Sequence, residues 1–235
     1  MVDFSERSKE IEIMDQFMGT TETLEPILND INGVNKVLGG YAITLNAVLE
    51  LIRTLKKESY TILDIGCAEG TMLRKLALTA RKHHINVKLV GVDLNAQSLE
   101  LARRKSGNFP EITYLEQDIL SNEFEPDQFD IVMTTLTFHH FNDDAIVGLL
   151  KRFVSLASIG VVINDLNRNA LAYYLFKAYA FFFIKTDIAK KDGLLSILRA
   201  FKKKDLKNYA AQVTNAHHHI KWKWAFRYLW ILKKK

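Results

Sequence analysis

Residues 60–71 read YTILDIGCAEGT, and this stretch decides the fold class of the 235-residue chain. A short run of β-branched and apolar residues ends at Gly66, and Gly70 follows just before a helical pattern over 70–83. The run predicts a buried strand, and the glycines permit a tight turn that leaves bare backbone close to a ligand. Asp64 precedes a G-x-x-x-G spacing, which differs from the dinucleotide fingerprint G-x-G-x-x-G. Because a carboxylate repels phosphate, Asp64 favours a cationic ligand group such as an α-amino group.

Strands and helices alternate along the central part of the chain. We predict further strands at VKLVGVD, EITYLEQD, FDIVMTTL and GVVINDL, and helices over 95–105 and at DDAIVGLLKRFVSLA. Nearly continuous apolar strands predict a parallel sheet covered on both faces, with ligands bound beyond the carboxyl ends of its strands. The last segment, AHHHIKWKWAFRYLWILKKK, alternates in polarity and predicts an antiparallel hairpin. The expected fold is therefore α/β, a doubly wound seven-stranded sheet of five parallel strands plus the hairpin.

Helical segments flank the predicted sheet. Three helices are expected near 5–18, 22–32 and 34–57, and we interpret residues 1–57 as an N-terminal helical lid. Gly39-Gly40 interrupts the third pattern, where it provides either a close approach of another group or a break between two helices. The aromatic segment NRNALAYYLFKAYAFFFIK belongs to a predicted helical cap at about 168–200. Its apolar run is too short to span a bilayer, so we expect it to cover the pocket, with a core helix and a membrane-interface helix as alternatives.

Composition limits the function classes that remain. Hydrophobic residues make up 48% and charged residues 25% of the chain, which is typical of one large folded domain and excludes intrinsic disorder. The single cysteine, Cys67, excludes an intrachain disulfide and a cysteine-rich zinc site. A reducing compartment and an N-terminus without an apolar signal core predict a cytoplasmic protein. The net charge of +5 divides into −9 over 1–150 and +14 over 151–235, so the second half faces an anionic partner or forms a solvated basic surface.

Two further acidic residues end predicted strands. Asp93 ends the second strand, where an acid in doubly wound folds accepts hydrogen bonds from ribose hydroxyls. Asp118 ends the third strand, where a carboxylate can accept a hydrogen bond from an adenine amine. With Asp64, these acids would bind an amine, a ribose and an adenine, which together describe S-adenosylmethionine.

Four motifs resemble the class I S-adenosylmethionine-dependent methyltransferases over about 60–165: LDIGCAEG at 63–70, VGVDLN at 90–95, LEQDIL at 115–120 and FDIVMTTLTFHHF at 129–141. Ala68 departs from the commonest pattern, which has a second glycine there. The flanks INGVNKVLGGYAITL, INDLNRNALAYYLFKA and DGLLSILRAFKKKDL are similar to a ubiquinone/menaquinone-type subgroup linked to polyketide or quinone pathways. The resemblance implies a Rossmann-like methyltransferase domain over 58–235. It also implies methyl transfer to a small aromatic, polyketide-like or quinone-like acceptor, at oxygen, with S-adenosylhomocysteine as the product.

The resemblance also implies roles for individual residues. Asp64, Gly66, Cys67 and Gly70 would line the methionine part of the cofactor, Asp93 and Leu94 its ribose and adenine, Asp118 and Ile119 its adenine, and Thr135 would lie beneath the sulfonium. Asn35, Lys36 and Gly40 would approach the cofactor from the lid.

Candidate catalytic residues follow the fourth and fifth strands. His139 and His140 lie after the fourth strand, where either could accept the proton of a phenol or pack structurally. Asp165 could orient a histidine or a substrate hydroxyl, or cap the next helix. Arg168 could bind an acidic substrate group or pair with Asp165.

No metal site is predicted. His217-His218-His219 lies on an expected strand, where only His217 and His219 share a face, and two ligands without a carboxylate make a poor site. The tryptophans near the C-terminus alternate as expected for a sheet edge, so nucleic-acid binding is not favoured. RNA or protein methylation, and a non-catalytic S-adenosylmethionine-binding protein, remain the alternatives.

Overall fold

The computed structural model describes residues 2–121 and 128–235 and contains a seven-stranded sheet in the order β3-β2-β1-β4-β5-β7-β6. The strands are β1 (Tyr60–Ile65), β2 (Val87–Asp93), β3 (Ile112–Glu116), β4 (Phe129–Thr135), β5 (Ala157–Leu166), β6 (Ala216–Lys223) and β7 (Arg227–Lys234). The first five are parallel, and β7 pairs antiparallel with both β5 and β6. The predicted fold class is confirmed.

The helices are α1 (Thr21–Val37), α2 (Gly40–Ile52), α3 (Thr71–Lys82), α4 (Ala96–Lys105), α5 (Asp143–Leu156), α6 (Ala170–Phe183), α7 (Asp187–Arg199) and α8 (Lys203–Ala211). They cover both faces of the sheet, because adjacent strand residues point into different cores. Ile62 packs in the core beneath α2 and α3, and its neighbour Leu63 packs in the core beneath α5. This burial on two faces explains why the central strands are apolar throughout.

The prediction of a helix over 5–18 is wrong. The structure forms only a 3-10 turn there, at Ile13–Gln16. The backbone N–H groups of Ile13 and Met14 donate to the carboxylate of Asp192 on α7, at 2.9 and 2.8 Å. Because α7 supplies these acceptors, the segment satisfies its backbone without a helix of its own.

The boundary between the next two helices also differs from the prediction. α1 continues to Val37, and the break lies at Leu38 and Gly39, where Gly39 has a φ of 68°. A Cβ on Gly40 would lie 2.6 Å from Oδ1 of Asn35 and 2.8 Å from Cζ of Arg227. Both explanations of the glycine pair therefore hold. Gly39 breaks the helix, and Gly40 leaves room for the side chains of Asn35 and Arg227.

α6 and α7 lie within the region predicted as a cap. Ala172, Phe176 and Tyr179 face a large cavity, whereas Phe181 and Phe182 are more than 70% exposed. Among the described residues, no helix has both the length and the apolar character that crossing a bilayer requires. α2 shares a hydrophobic core with the sheet. The division of the chain into two domains at residue 57 stays a prediction.

Candidate active site

A cavity of about 990 Å³ opens beyond the carboxyl ends of the parallel strands. Its wall includes Asp64 at the end of β1, Asp93 at the end of β2 and Asp118 just after β3. Parallel strands place such residues at one edge of the sheet, and loops beyond that edge form ligand sites. The three acids that the sequence singled out therefore share one cavity.

Asp64 is buried, and Asp93 is partly buried. Burial, and then the charge of Asp93, raise the pKa of Asp64 well above its usual range. Burial likewise raises the pKa of Asp93, although Ala68 and Asn95 donate backbone N–H groups to its carboxylate at 2.8 and 2.9 Å. Asp118 is exposed at the rim, where its carboxylate accepts the N–H of Leu120 at 2.8 Å. This side of the cavity suits a ligand with a positive charge, because a cation would stabilise the carboxylates of Asp64 and Asp93.

The turn after β1 brings backbone to the cavity wall. Gly66 has a φ of 71°, and a Cβ there would overlap the side chain of Thr137. The thiol of Cys67 lines the cavity, and burial raises its pKa, so it is a packing group and not a thiolate nucleophile. Gly70 is not among the residues of the cavity wall and packs against the Tyr114 hydroxyl, and its contact with the cofactor stays a prediction.

Glu69, in the same turn, is a buried residue to which sequence reasoning gave no role. Its carboxylate accepts hydrogen bonds from Asn32 Nδ2 at 2.6 Å and from Thr71 Oγ1 at 2.5 Å, and it pairs with Lys105. Asn32 also accepts the hydroxyl of Tyr41. These contacts connect α1 and α2 to the turn, so the N-terminal helices form part of the cavity wall. Glu69 belongs to the CAEG motif, in which the family resemblance assigns roles only to Cys67 and Gly70.

The other residues predicted to contact the cofactor after β2, β3 and β4 also lie in the cavity wall. Leu94, Ile119 and Thr135 all line the cavity, and Leu94 is largely exposed at its rim. The Oγ1 atoms of Thr135 and Thr44 lie 2.9 Å apart, which joins the end of β4 to α2. Asn164 on β5 donates to the same Thr44 oxygen at 3.0 Å.

The lid contributes fewer cavity residues than the resemblance implied. Asn35 lines the cavity, as expected. Lys36 is exposed and outside the wall, and Gly40 packs behind Asn35, so neither is in position to touch a ligand there.

His139 and Asp165 form a buried pair. Nδ1 of His139 lies 2.7 Å from Oδ1 of Asp165, and the His139 backbone N–H donates to Oδ2 at 3.1 Å. Asp165 does not line the cavity, so it acts on the site through His139. The alternative role of capping α6 belongs instead to Asn169, which accepts the N–H of Leu171 at 2.9 Å.

Glu12 completes the site on the other side of the imidazole. Nε2 of His139 lies 3.5 Å from Oε1 of Glu12, and both atoms are buried without a hydrogen-bond partner among the described residues. Burial alone would lower the pKa of His139, but the charges of Asp165 and Glu12 raise it to about 9. His140 pairs in parallel with Asp15, Nδ1 to Oδ1 at 2.8 Å. Sequence reasoning missed both acids because it placed them in a helix.

The same cluster offers donor atoms suited to a cation. Ligand atoms of Glu12, His139 and His140 lie within 4.8 Å of one another, and two imidazoles with a carboxylate are a known set for divalent metals. The high pKa of His139 means that a proton competes with any metal for Nε2. The expectation of no metal stays a prediction.

Several other candidate residues lie away from the cavity. Arg168 is buried and pairs with Asp205 at 3.0 Å, while its Nε donates to the Phe4 carbonyl, so its ion-pair partner is Asp205 and not Asp165. His217 and His219 are exposed on β6, the edge strand.

Comparisons with known proteins agree with this geometry. Residues 62–160 match the family described as "Methyltransferase domain". Malonyl-[acyl-carrier protein] O-methyltransferase 1 of Ilyobacter polytropus is 23% identical over 173 residues, which is 73% of this chain and 58% of that protein. The 2-phytyl-1,4-naphtoquinone methyltransferase of Thermosynechococcus vestitus is 36% identical over 69 residues, 29% of each chain. The chain thus spans less than two thirds of the length of these relatives.

Solved structures show the likeness in fold. The plantazolicin methyltransferase BamL, in complex with a triazolic desmethylPZN analog and S-adenosylhomocysteine, superposes with a TM-score of 0.68 over 91% of both chains at 15% identity. The magnesium protoporphyrin IX methyltransferase of Synechocystis PCC 6803, also with bound S-adenosylhomocysteine, gives 0.58 over 86% of this chain and 87% of that chain, at 15% identity. Residues 62–160 therefore match a methyltransferase domain, and the fold of the chain is similar to that of methyltransferases solved with S-adenosylhomocysteine.

Proposed function

We propose that this protein transfers a methyl group from S-adenosylmethionine to an oxygen of a small, largely apolar acceptor with a phenol-like or quinol-like hydroxyl. One observation carries the proposal. A single cavity is lined on one side by Asp64, Asp93 and Asp118 and on another by His139 and Glu12. The first side suits a cationic adenosyl ligand, and the second suits an acceptor that must lose a proton.

The cofactor would lie against the carboxyl ends of β1 to β3. Asp64 and the backbone at Gly66 would hold the methionine end, and Asp93 would accept the ribose hydroxyls. Asp118 and Ile119 would border the adenine. The raised pKa of Asp64 supports this arrangement, because a buried carboxylate without a cation is costly and a positively charged ligand would relieve that cost.

The acceptor would occupy the part of the cavity beneath α6 and α7. Its wall there includes the apolar side chains of Phe17, Phe176, Tyr179 and Ile197. Cavities of this size with mostly apolar walls hold small molecules and exclude water. The name of one relative, which specifies a phytyl naphthoquinone, supports an acceptor with a long apolar part.

His139 would remove the acceptor proton. S-adenosylmethionine supplies an electrophilic methyl carbon on a positive sulfur, so the acceptor oxygen forms its bond to carbon as the carbon–sulfur bond breaks. Asp165 holds Nδ1 of His139 and leaves Nε2 directed towards Glu12 and the cavity. In the neutral form of His139, the hydroxyl proton would pass to Nε2, and the apolar walls would align the oxygen with the methyl carbon.

Turnover with methyl-labelled S-adenosylmethionine tests the proposal. The acceptors are a panel of alkylated phenols, naphthoquinols and alkyl carboxylic acids. We expect labelled product and S-adenosylhomocysteine from at least one phenol or quinol. Product only from RNA or protein would replace the proposal with one of the alternatives, and cofactor binding without any product would indicate a non-catalytic binding protein.

The pH dependence of the site follows from its charges. A raised pKa means that His139 is protonated at neutral pH, and that the neutral base appears as the pH rises through about 9. Glu12→Gln removes one of the charges that raise this pKa, so His139 should titrate at a lower pH. Imidazole ¹⁵N NMR measures the titration, with Glu10→Gln as a matched control at an exposed acid nearby. A wild-type pKa near 6.5, or one unchanged by Glu12→Gln, would contradict the arrangement.

We further propose that α6 contacts an anionic lipid surface, from which an apolar acceptor would enter. Phe181, Phe182 and Phe183 are 66–77% exposed, and the neighbouring Lys177 and Lys185 are exposed as well. Exposed aromatic rings beside lysines are typical of helices that lie in a membrane interface. Such a contact is compatible with the expected cytoplasmic location.

Vesicle co-sedimentation tests this contact. The protein should sediment with phosphatidylglycerol-containing vesicles more than with phosphatidylcholine vesicles. The triple substitution of Phe181, Phe182 and Phe183 by Ser should abolish sedimentation while S-adenosylhomocysteine binding persists. Equal recovery of wild-type protein and variant would count against it.

A further inference from the structure

A buried arginine lies in the cavity wall beside the N-terminal helices. Arg227, the first residue of β7, is only 1% exposed and lines the cavity. Its Nη2 donates to Oδ1 of Asn35 at 2.7 Å. Its Nε and Nη1 atoms are buried and have no hydrogen-bond partner among the described residues. Two donors of a cation are therefore unsatisfied in the interior of the protein.

The charge of Arg227 is also without a close counterion. In residues 2–121 and 128–235, no carboxylate forms an ion pair with it. Asp165 is near enough to act electrostatically, but its oxygens already accept from His139 and from the backbone N–H of Leu166 at 2.6 Å. Burial lowers the pKa of Arg227 to about 10, so the guanidinium is still charged at neutral pH. A buried guanidinium without a counterion raises the free energy of the folded protein, and an anion bound beside it would lower that free energy.

The surroundings hold the guanidinium in place. Arg227 pairs with Leu166 of β5 and Lys223 of β6 in the sheet register, so its backbone is fixed on both sides. Gly40 leaves just enough space, since any Cβ there would lie 2.8 Å from Cζ of Arg227. Asn35 fixes one edge of the planar group through its side-chain oxygen. The two unpaired donors, Nε and Nη1, are thus held in fixed positions on different sides of the guanidinium, so each can donate a charge-assisted hydrogen bond to a carboxylate.

We propose that Arg227, positioned by Asn35, binds a carboxylate of a molecule in this cavity. The inference deepens the proposed function and rests on it. Two sources offer this chemistry: the methionine carboxylate of the cofactor, and an acidic group on the acceptor. In the sheet, β7 lies three strands from β1, a distance of roughly 14 Å at about 4.8 Å per strand. Arg227 therefore lies towards the proposed acceptor end of the cavity. Its hydrogen-bond partner Asn35 belongs to the N-terminal lid.

Binding measurements on Arg227→Gln distinguish the two sources. The probes are S-adenosylhomocysteine, 5′-methylthioadenosine, which lacks the amino-acid carboxylate, and 2-naphthoate with its uncharged partner 2-naphthamide. If the cofactor carboxylate is the ligand, Arg227→Gln weakens S-adenosylhomocysteine by about tenfold or more and leaves 5′-methylthioadenosine unchanged. If the acceptor carries the acid, both adenosyl probes keep their affinity. In that case 2-naphthoate binding to the S-adenosylhomocysteine-loaded protein falls by a similar factor, and 2-naphthamide is unaffected.

A second variant keeps the test decisive if Arg227→Gln fails to fold. Asn35→Asp retains the arginine but places a carboxylate beside it, so it should compete with the ligand and produce the same selective loss. Unchanged affinity for both S-adenosylhomocysteine and 2-naphthoate in a folded variant would overturn the inference. Failure of wild-type protein to bind either adenosyl probe would instead overturn the proposed function, so the two failures are distinguishable.

Discussion

His139→Gln is expected to lower the rate of methyl transfer by about 10²–10⁴-fold, the usual contribution of a general base, while S-adenosylhomocysteine affinity changes little. The imidazole is buried between Asp165 and Glu12, and its Nε2 faces Glu12 on the side of the cavity where we propose that the acceptor binds. Glutamine fills a similar volume and retains a polar group, but it cannot accept the proton. Steady-state kcat with the best acceptor and calorimetry with S-adenosylhomocysteine measure the two effects separately.

The partners of His139 give this prediction its controls. Asp165→Asn should also lower kcat, because an amide neither fixes the same tautomer of His139 nor stabilises its imidazolium form. It should also shift the pH profile of kcat, which a purely structural role of Asp165 would leave unchanged. His219→Gln, at an exposed site on the edge strand, is the matched control. Full activity of His139→Gln combined with loss of activity in His140→Gln would assign the base to His140 and contradict the mechanism.

Asp93→Ala is expected to weaken the binding of S-adenosylmethionine and S-adenosylhomocysteine by about 1–3 kcal/mol, or roughly 5–150-fold. The variant loses an acceptor for the ribose hydroxyls. It also frees the backbone N–H groups of Ala68 and Asn95, which the carboxylate holds at 2.8 and 2.9 Å. Both changes loosen the turns that surround the cofactor.

Two further substitutions separate these contributions. Asp93→Asn retains an acceptor oxygen at reduced charge, so its loss should be smaller than that of Asp93→Ala. Asp118→Ala removes an exposed carboxylate at the rim, and its effect should be smaller because water competes there. An unchanged affinity in Asp93→Ala would contradict the assigned ribose contact.

The sheet was predictable because its strands carry a local signal. Residues 60–65 and 129–135 are runs of apolar and β-branched residues that are buried on both faces, and each ends at a polar or glycine-containing turn. The convergence of Asp64, Asp93 and Asp118 followed from the rule that parallel strands end at one edge. Local pattern and topology together therefore predicted the cofactor side of the cavity.

The acceptor side was not predictable in the same way. Glu12 depends on α7, which lies about 180 residues later and supplies the carboxylate of Asp192 that organises the N-terminal segment. Arg227 lies in a strand whose alternation indicated only a hairpin, and its partner Asn35 is 192 residues earlier. The motif gave no sign that Gly70 packs against Tyr114, whose hydroxyl occupies the place of a Cβ on Gly70. These contacts are set by tertiary packing, for which a local pattern carries no signal.

A crystal structure of the protein with S-adenosylhomocysteine tests the central claim most directly. The account predicts one ligand in the cavity, with its ribose hydroxyls at Asp93, its adenine beside Asp118 and Ile119, and its amino group directed towards Asp64. The sulfur should face the space in front of His139. A ligand bound elsewhere, or one that leaves Asp64 and Asp93 without contact, would contradict it.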